Sequence, residues 1–201
     1  MAVSRIKTSS VLQNFAKSRS LLIGNDPYKP GVYESIASAT GTGSSGTITF
    51  SSIPSTYTSL QLRVTVRDTQ ASTGVDELTI RFNNDSGTNY ARHVLVGTDP
   101  SVAASGSITQ NAIRVTCNPN GNNAANVVGA AIIDLQDYTS TTRNKTLGAF
   151  SGCNLNNSGT SYTSLTSGLW LNTAAITRID FLARTFFSTQ TTISLYGIKG
   201  A

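Results

Sequence analysis

Leu60, Leu62, Val64 and Val66 alternate with Gln61, Arg63, Thr65 and Arg67. A period of two puts the four apolar side chains on one face of an extended chain, which predicts a half-buried strand. Leu78, Ile80 and Phe82 alternate with Thr79 and Arg81 in a second such segment. Turn residues follow at 83–87, Asn-Asn-Asp-Ser-Gly, and a strand over about 90–96 comes next. Ile113 and Val115 mark another strand. Residues 127–135 form a nearly continuous apolar run, which predicts a strand covered on both faces. Later strands are expected at 145–150, 164–171, 178–183 and 192–198. Pro54, Pro100 and Pro119 are placed in the turns between strands, where a missing N–H costs little.

About ten strands at regular spacing, with no helical period among them, predict an all-β fold. The expected architecture is an antiparallel, jelly-roll-like β-sandwich, since the connections are too short for crossover helices. Residues 1–30 read differently, as an N-terminal arm preceding a sandwich domain at 31–201. Ser9 or Ser10 could cap a short helix over 11–22 that ends at Gly24-Asn25, or the arm could run as an extended strap. Asp26-Pro27 and Lys29-Pro30-Gly31 break the chain before the domain.

Composition sharpens this division. Charged residues make up only 12% of the chain, about half the usual share. Hydrophobic residues make up 38% and fall in ordered runs, so the composition is not that of a disordered chain. The net charge is +5, and the arm carries most of it. Arg5, Lys7, Lys17, Arg19 and Lys29 against Asp26 give 5 − 1 = +4. The arm also carries Val11, Leu12, Phe15, Leu21, Leu22 and Ile23. Phosphate binding needs charge but not that much apolar area, so docking on protein is expected rather than on nucleic acid. The docking residues are Arg5, Lys7, Val11, Leu12, Phe15, Lys17, Arg19 and Leu22. The pattern predicts no secretory leader and no membrane span, and synthesis in the cytoplasm is expected.

Candidate chemistry is sparse. Gly41-Thr42-Gly43-Ser44-Ser45-Gly46 matches a dinucleotide fingerprint, but a strand at 47–50 follows it rather than a helix, so it is read as a flexible turn. His93 is the only histidine, lies in a predicted strand and has no nucleophile elbow to serve, so it is read as structural. Cys117 and Cys153 are two thiols without a histidine cluster. They do not make a zinc site, and they are read as buried, with a single bridge left open as an alternative. Asp134, Asp137 and Asp180 lie nearest to buried sequence but show no paired spacing for glycoside hydrolysis. Residues 83–87 resemble part of a calcium loop without its terminal acid. No catalytic residue, metal or cofactor is expected. Tyr57, Tyr90, Tyr138 and Tyr162 are the candidate ligand surface, as aromatic rings on which a sugar could stack. Trp170, between Leu169 and Leu171, is assigned to the core.

A resemblance adds to this. Residues 4–13, Ser-Arg-Ile-Lys-Thr-Ser-Ser-Val-Leu-Gln, and 17–22, Lys-Ser-Arg-Ser-Leu-Leu, look like the N-terminal arm of virion structural proteins from tailed phages, cyanophages in particular. Residues 48–54, 81–90, 168–170, 173–176 and 194–199 resemble, in order, a phage family of small jelly-roll or lectin-like sandwiches. The resemblance implies a non-enzymatic structural protein of the virion, assembled in the host cytoplasm. It is most like a short tail fibre or a module mounted on a fibre or adaptor and anchored by the arm. A capsid decoration protein clamping capsid subunits and a carbohydrate-binding receptor module are the alternatives. Implied partners are other virion proteins (a tail adaptor, a baseplate or capsid subunits), further copies in a homo-oligomer such as a closed trimer, and a host-surface glycan.

Overall fold

The structure, a computed structural model, describes residues 32–156 and 159–200. The expectations for the arm, including its eight docking residues, fall outside the described residues. The sandwich unit begins at Tyr33. Its described residues form twelve strands and no helix. In chain order these are β1 (Tyr33–Thr40), β2 (Thr47–Phe50), β3 (Ser59–Val66), β4 (Val75–Phe82), β5 (Tyr90–Thr98), β6 (Val102–Gln110), β7 (Ile113–Pro119), β8 (Gly129–Gln136), β9 (Lys145–Cys153), β10 (Tyr162–Trp170), β11 (Ile179–Leu182) and β12 (Thr192–Ile198).

Eight strands make one sheet, in the order β1-β12-β3-β8-β9-β10-β5-β6, and four make the other, β2-β11-β4-β7. Every ladder is antiparallel. The chain crosses repeatedly between sheets, so the fold is an antiparallel, jelly-roll-like β-sandwich, as the alternation predicts. β7 packs against β8, β9 and β10 of the larger sheet.

The core lies between the sheets. Leu60, Leu62, Val64 and Val66 of β3 point into it, as do Leu78, Ile80 and Phe82 of β4. Trp170 is buried, with ring centroids 5.7 Å from Phe82 and 6.2 Å from Tyr90. β10 inverts the ordinary rule: Ser164, Thr166 and Gly168 point inward, while Leu165 is exposed. The cause is the approach of β7. A Cβ on Gly168 would stand 2.6 Å from the Ile113 side chain, so only a small residue fits.

Three buried charges pin the loops. Arg67 donates to four backbone carbonyls, those of Ala124 and Val127 from Nη1 (2.9 and 2.7 Å) and those of Gly121 and Asn123 from Nη2 (2.9 and 3.0 Å). Asp68 accepts the backbone N–H groups of Arg184 and Thr185 at 2.9 and 3.2 Å. Lys145 donates to the carbonyls of Ser140, Arg143 and Thr173 at 2.7, 2.7 and 3.0 Å, and burial pushes its pKa down.

Several expectations need correction. β1 and β6 carry no clean alternation, and the strands number twelve rather than about ten. β8 is covered on one face only: Ala131, Ile133 and Leu135 are buried, Ile132 is half-buried and Ala130 is exposed. Pro119 is not in a turn. It ends β7, an outer strand of the smaller sheet, opposite Val75. The glycine-rich segment at 41–46 is a turn, but a close-packed one. Gly43 N donates to the Phe187 carbonyl at 2.8 Å, and a Cβ on Gly41 would lie 2.1 Å from the Ser188 oxygen.

Candidate binding face

The four candidate tyrosines do not form one surface. Tyr90 and Tyr138 are buried, which removes them as stacking platforms. The Tyr90 hydroxyl reaches the Asp85 carbonyl at 3.1 Å, and burial pushes its pKa up to about 12. Tyr138 donates to the Pro54 carbonyl, and burial raises its pKa. Both rings fill the core because the aromatic body gains more by leaving water than the satisfied hydroxyl loses. Tyr57 is half-buried, with its hydroxyl 3.0 Å from Glu34 Oε2 and Lys199 Nζ 5.7 Å from its ring centroid. Hydrogen bonds from Lys199 and Tyr57 hold Glu34 below the usual carboxylate range, and Glu34 in turn pushes Tyr57 up. Tyr162 is half-buried at the start of β10, at the opposite end of the β5–β10 ladder from Tyr90.

A different surface stands out, the outer face of the eight-stranded sheet. Register aligns Ser194, Arg63, Ile132, Phe150, Leu165 and Leu95 in one row across six strands. Three of these apolar side chains are about half exposed: Phe150 54%, Leu165 53% and Leu95 46%. They form a ridge on a face that no other described element covers. The row on one side is Thr192, Thr65, Ala130, Gly152, Thr163 and Gly97. Its small residues leave a trough beside the ridge, with a depression of about 530 Å³ whose lining includes Ala130 and Gly152. The trough continues past Thr163 towards Tyr162. On the other side lies Tyr196, Gln61, Asp134, Gly148, Ser167 and His93, also with a glycine in the middle.

The charges single out one residue on this face. Ten lysines and arginines follow residue 30, being 15 in all less the five of residues 1–30. Six pair with carboxylates: Arg92 and Arg114 with Glu77, Arg143 with Asp137, Arg178 with Asp180, Arg184 with Asp76, and Lys199 with Glu34. Arg67 and Lys145 are buried against carbonyls, and Arg81 Nε donates to the Asn111 carbonyl at 3.1 Å. Arg63 is exposed. Its Nε donates to Gln61 Oε1 at 2.9 Å, and its two terminal amino groups have no partner among the described residues.

The remaining carboxylate candidates are held in structural contacts, and His93 is not. His93 is exposed on β5 beside Ser167, with no hydrogen bond between them. Asp134 lies two strands beyond Ser167 and accepts from Gln61 Nε2 at 2.7 Å. Asp180 is buried and takes the Arg178 guanidinium and, at 2.6 Å, the Thr49 hydroxyl. Asp137 is exposed and pairs with Arg143. In the 83–87 turn, Asp85 spends its carboxylate on Trp170 Nε1, Asn89 Nδ2 and Gly87 N. Cys117 and Cys153 are buried free thiols, and burial raises both, Cys153 to about 11. Among the described residues no three His, Cys, Asp or Glu side chains group as a metal site. Among them, too, no helix is long and apolar enough to cross a membrane.

The sequence reading missed this face. Its one available signal was parity: Phe150 lies an odd number of positions from Leu147, so a strand that buries one exposes the other. No protein-family model matches the chain, and no curated protein matches it. Fold and site together define an all-β sandwich module with one ridged sheet face that no other described element covers.

Proposed function

We propose that this chain is a non-enzymatic structural protein of a virus particle, tail-associated, anchored through residues 1–30 and presenting its sandwich outward. The observation that carries the reading is the face of the larger sheet that no other described element covers, with its ridge of Ile132, Phe150, Leu165 and Leu95. Exposed apolar patches mark interaction sites or ligand-binding grooves. The carboxylates support the same reading, because Asp68, Asp85 and Asp180 are spent on holding loops and turns. A surface with few charges suits repeated display, where many copies multiply weak contacts. The tail assignment comes from the arm's likeness to phage docking arms.

Electron cryo-microscopy of particles carrying the protein tests the proposal. Density for residues 1–30 on a tail adaptor or baseplate ring is the expected result. Density confined to the shell overturns the tail assignment in favour of capsid decoration. Absence from purified particles overturns the virion reading altogether. In the same system, deletion of residues 1–30 is expected to leave a folded sandwich that no longer enters particles.

A further inference from the structure

The trough beside the ridge has a chemistry of its own. One wall is Ile132 and the exposed ring of Phe150. Hydroxyl-bearing side chains also line it, among them Thr65, Thr163, Thr192 and Ser194. Arg63 is the one charged side chain lining the depression itself, Asp99 lies along its continuation past Thr163, and the Arg63 fork is unclaimed by any carboxylate of the described residues. An unpaired guanidinium presents parallel N–H donors that match an oxyanion two at a time.

Three classes of ligand can be compared on these facts. An extended peptide needs free backbone donors and acceptors at a sheet edge. The trough crosses β3, β8, β9 and β10, interior strands whose backbone groups are used by neighbours on both sides. A nucleic acid needs several cations along its backbone, and the trough offers one. A saccharide needs an apolar or aromatic face for its C–H surface and hydroxyls that both donate and accept, and the trough has both. The lone arginine adds a preference for a sugar bearing a carboxylate or sulfate.

We propose that the trough flanked by Arg63 and Phe150 binds an acidic saccharide, with the oxyanion on the Arg63 guanidinium and the sugar ring against Phe150. The floor of Ala130 and Gly152 keeps the site open, since no side chain longer than a methyl rises from it. The proposal rests on the outer sheet face being the working surface, and not on which part of a particle carries the chain.

The test is a glycan array probed with the full 201-residue chain. It carries uronate, sialylated and sulfated glycans beside their neutral counterparts, which separates carboxylate from sulfate as the source of charge. The best-bound oligosaccharide is then titrated by calorimetry into wild type, Arg63→Gln, Arg63→Lys and Phe150→Ala. Acidic glycans are expected to bind over neutral ones. Arg63→Gln should weaken binding about 10-fold or more, because a charge-assisted pair is lost. Arg63→Lys should fall between, keeping the charge and losing the fork, and Phe150→Ala should weaken binding with the acidic preference intact. The melting temperature should stay unchanged in the arginine variants, whose side chain is exposed. Binding that favours neutral glycans, no binding to any acidic glycan, or an affinity untouched by Arg63→Gln overturns the proposal. A chain located on the shell that still binds acidic glycans would remove only the tail assignment.

Discussion

Trp170 Nε1 donates to Asp85 Oδ2 at 2.7 Å, joining two residues 85 positions apart in the chain. The same carboxylate accepts from Asn89 Nδ2 at 2.7 Å and Gly87 N at 2.8 Å. Thus one side chain closes the β4–β5 turn and anchors the end of β10.

This link makes stability depend on pH. Burial pushes the Asp85 pKa up, but the hydrogen bonds from Trp170, Gly87 and Asn89 outweigh it, and the net shift is downward. A carboxylate with a depressed folded pKa stabilises in full above its unfolded value, near 4, and loses that contribution as pH falls through the folded value. Trp170 is the only tryptophan, so its fluorescence reports the site directly. Urea midpoints followed by that fluorescence should drop between pH 5 and pH 2 by more in wild type than in Asp85→Asn. At pH 7 the variant should be less stable by about 1–3 kcal/mol, the cost of weakening hydrogen bonds to a charged acceptor.

Arg67 organises the loop at 121–127 much as a bound cation would, with four carbonyls around one guanidinium. Removing it leaves those carbonyls without their donor. Arg67→Ala is expected to cost about 3 kcal/mol, or roughly 6–12 °C in melting temperature for a domain of this size. Arg67→Lys should recover only part of this, since three ammonium donors replace a planar fork. Differential scanning calorimetry of the three proteins checks both statements.

Gly168 and Ile113 are matched in size across the two sheets. Gly168→Ala should destabilise by about 1–3 kcal/mol through overpacking, although alanine is ordinarily the better strand residue. Ile113→Val, which shortens the opposing side chain, should restore part of the loss. A double-mutant cycle by chemical denaturation gives the coupling. A neutral Gly168→Ala would mean that β7 and β10 are further apart than the structure has them.

Neighbouring positions on β9 should respond oppositely. Leu147 is buried and Phe150 is 54% exposed. Leu147→Ala is expected to cost about 2–5 kcal/mol, and Phe150→Ser to stay within about 0.5 kcal/mol of wild type. Equilibrium unfolding in urea checks the pair. Equal losses would mean that the outer face is covered after all.

Much of the sandwich was legible in the chain. β3 and β4 announce themselves because each buries one face completely, so their residues sort by side. β1 and β6 did not, and the reason is physical. β6 is an outer strand exposed at almost every position, so nothing forces its residues to alternate. The candidate site was legible only in pieces. Tyr162 does lie at the end of the trough, but Tyr90 and Tyr138 were drawn into the core. Phe150 and Arg63 were passed over because their significance lies in being neighbours, which requires the register of β3, β8 and β9.

The sequence by itself determined the class of fold and the position of most strands, because side-chain periodicity is a local property that each strand carries alone. It also determined that most of the net positive charge lies in residues 1–30 and that the rest of the chain is nearly neutral. Which strands pair, which face of β10 turns inward and what stands beside Arg63 were decided by the tertiary structure. Those relations depend on the closeness of β7 to β10 and on hydrogen-bond register between segments far apart in the chain. Residues 63, 132 and 150 meet only because two separate ladders fix them in one row.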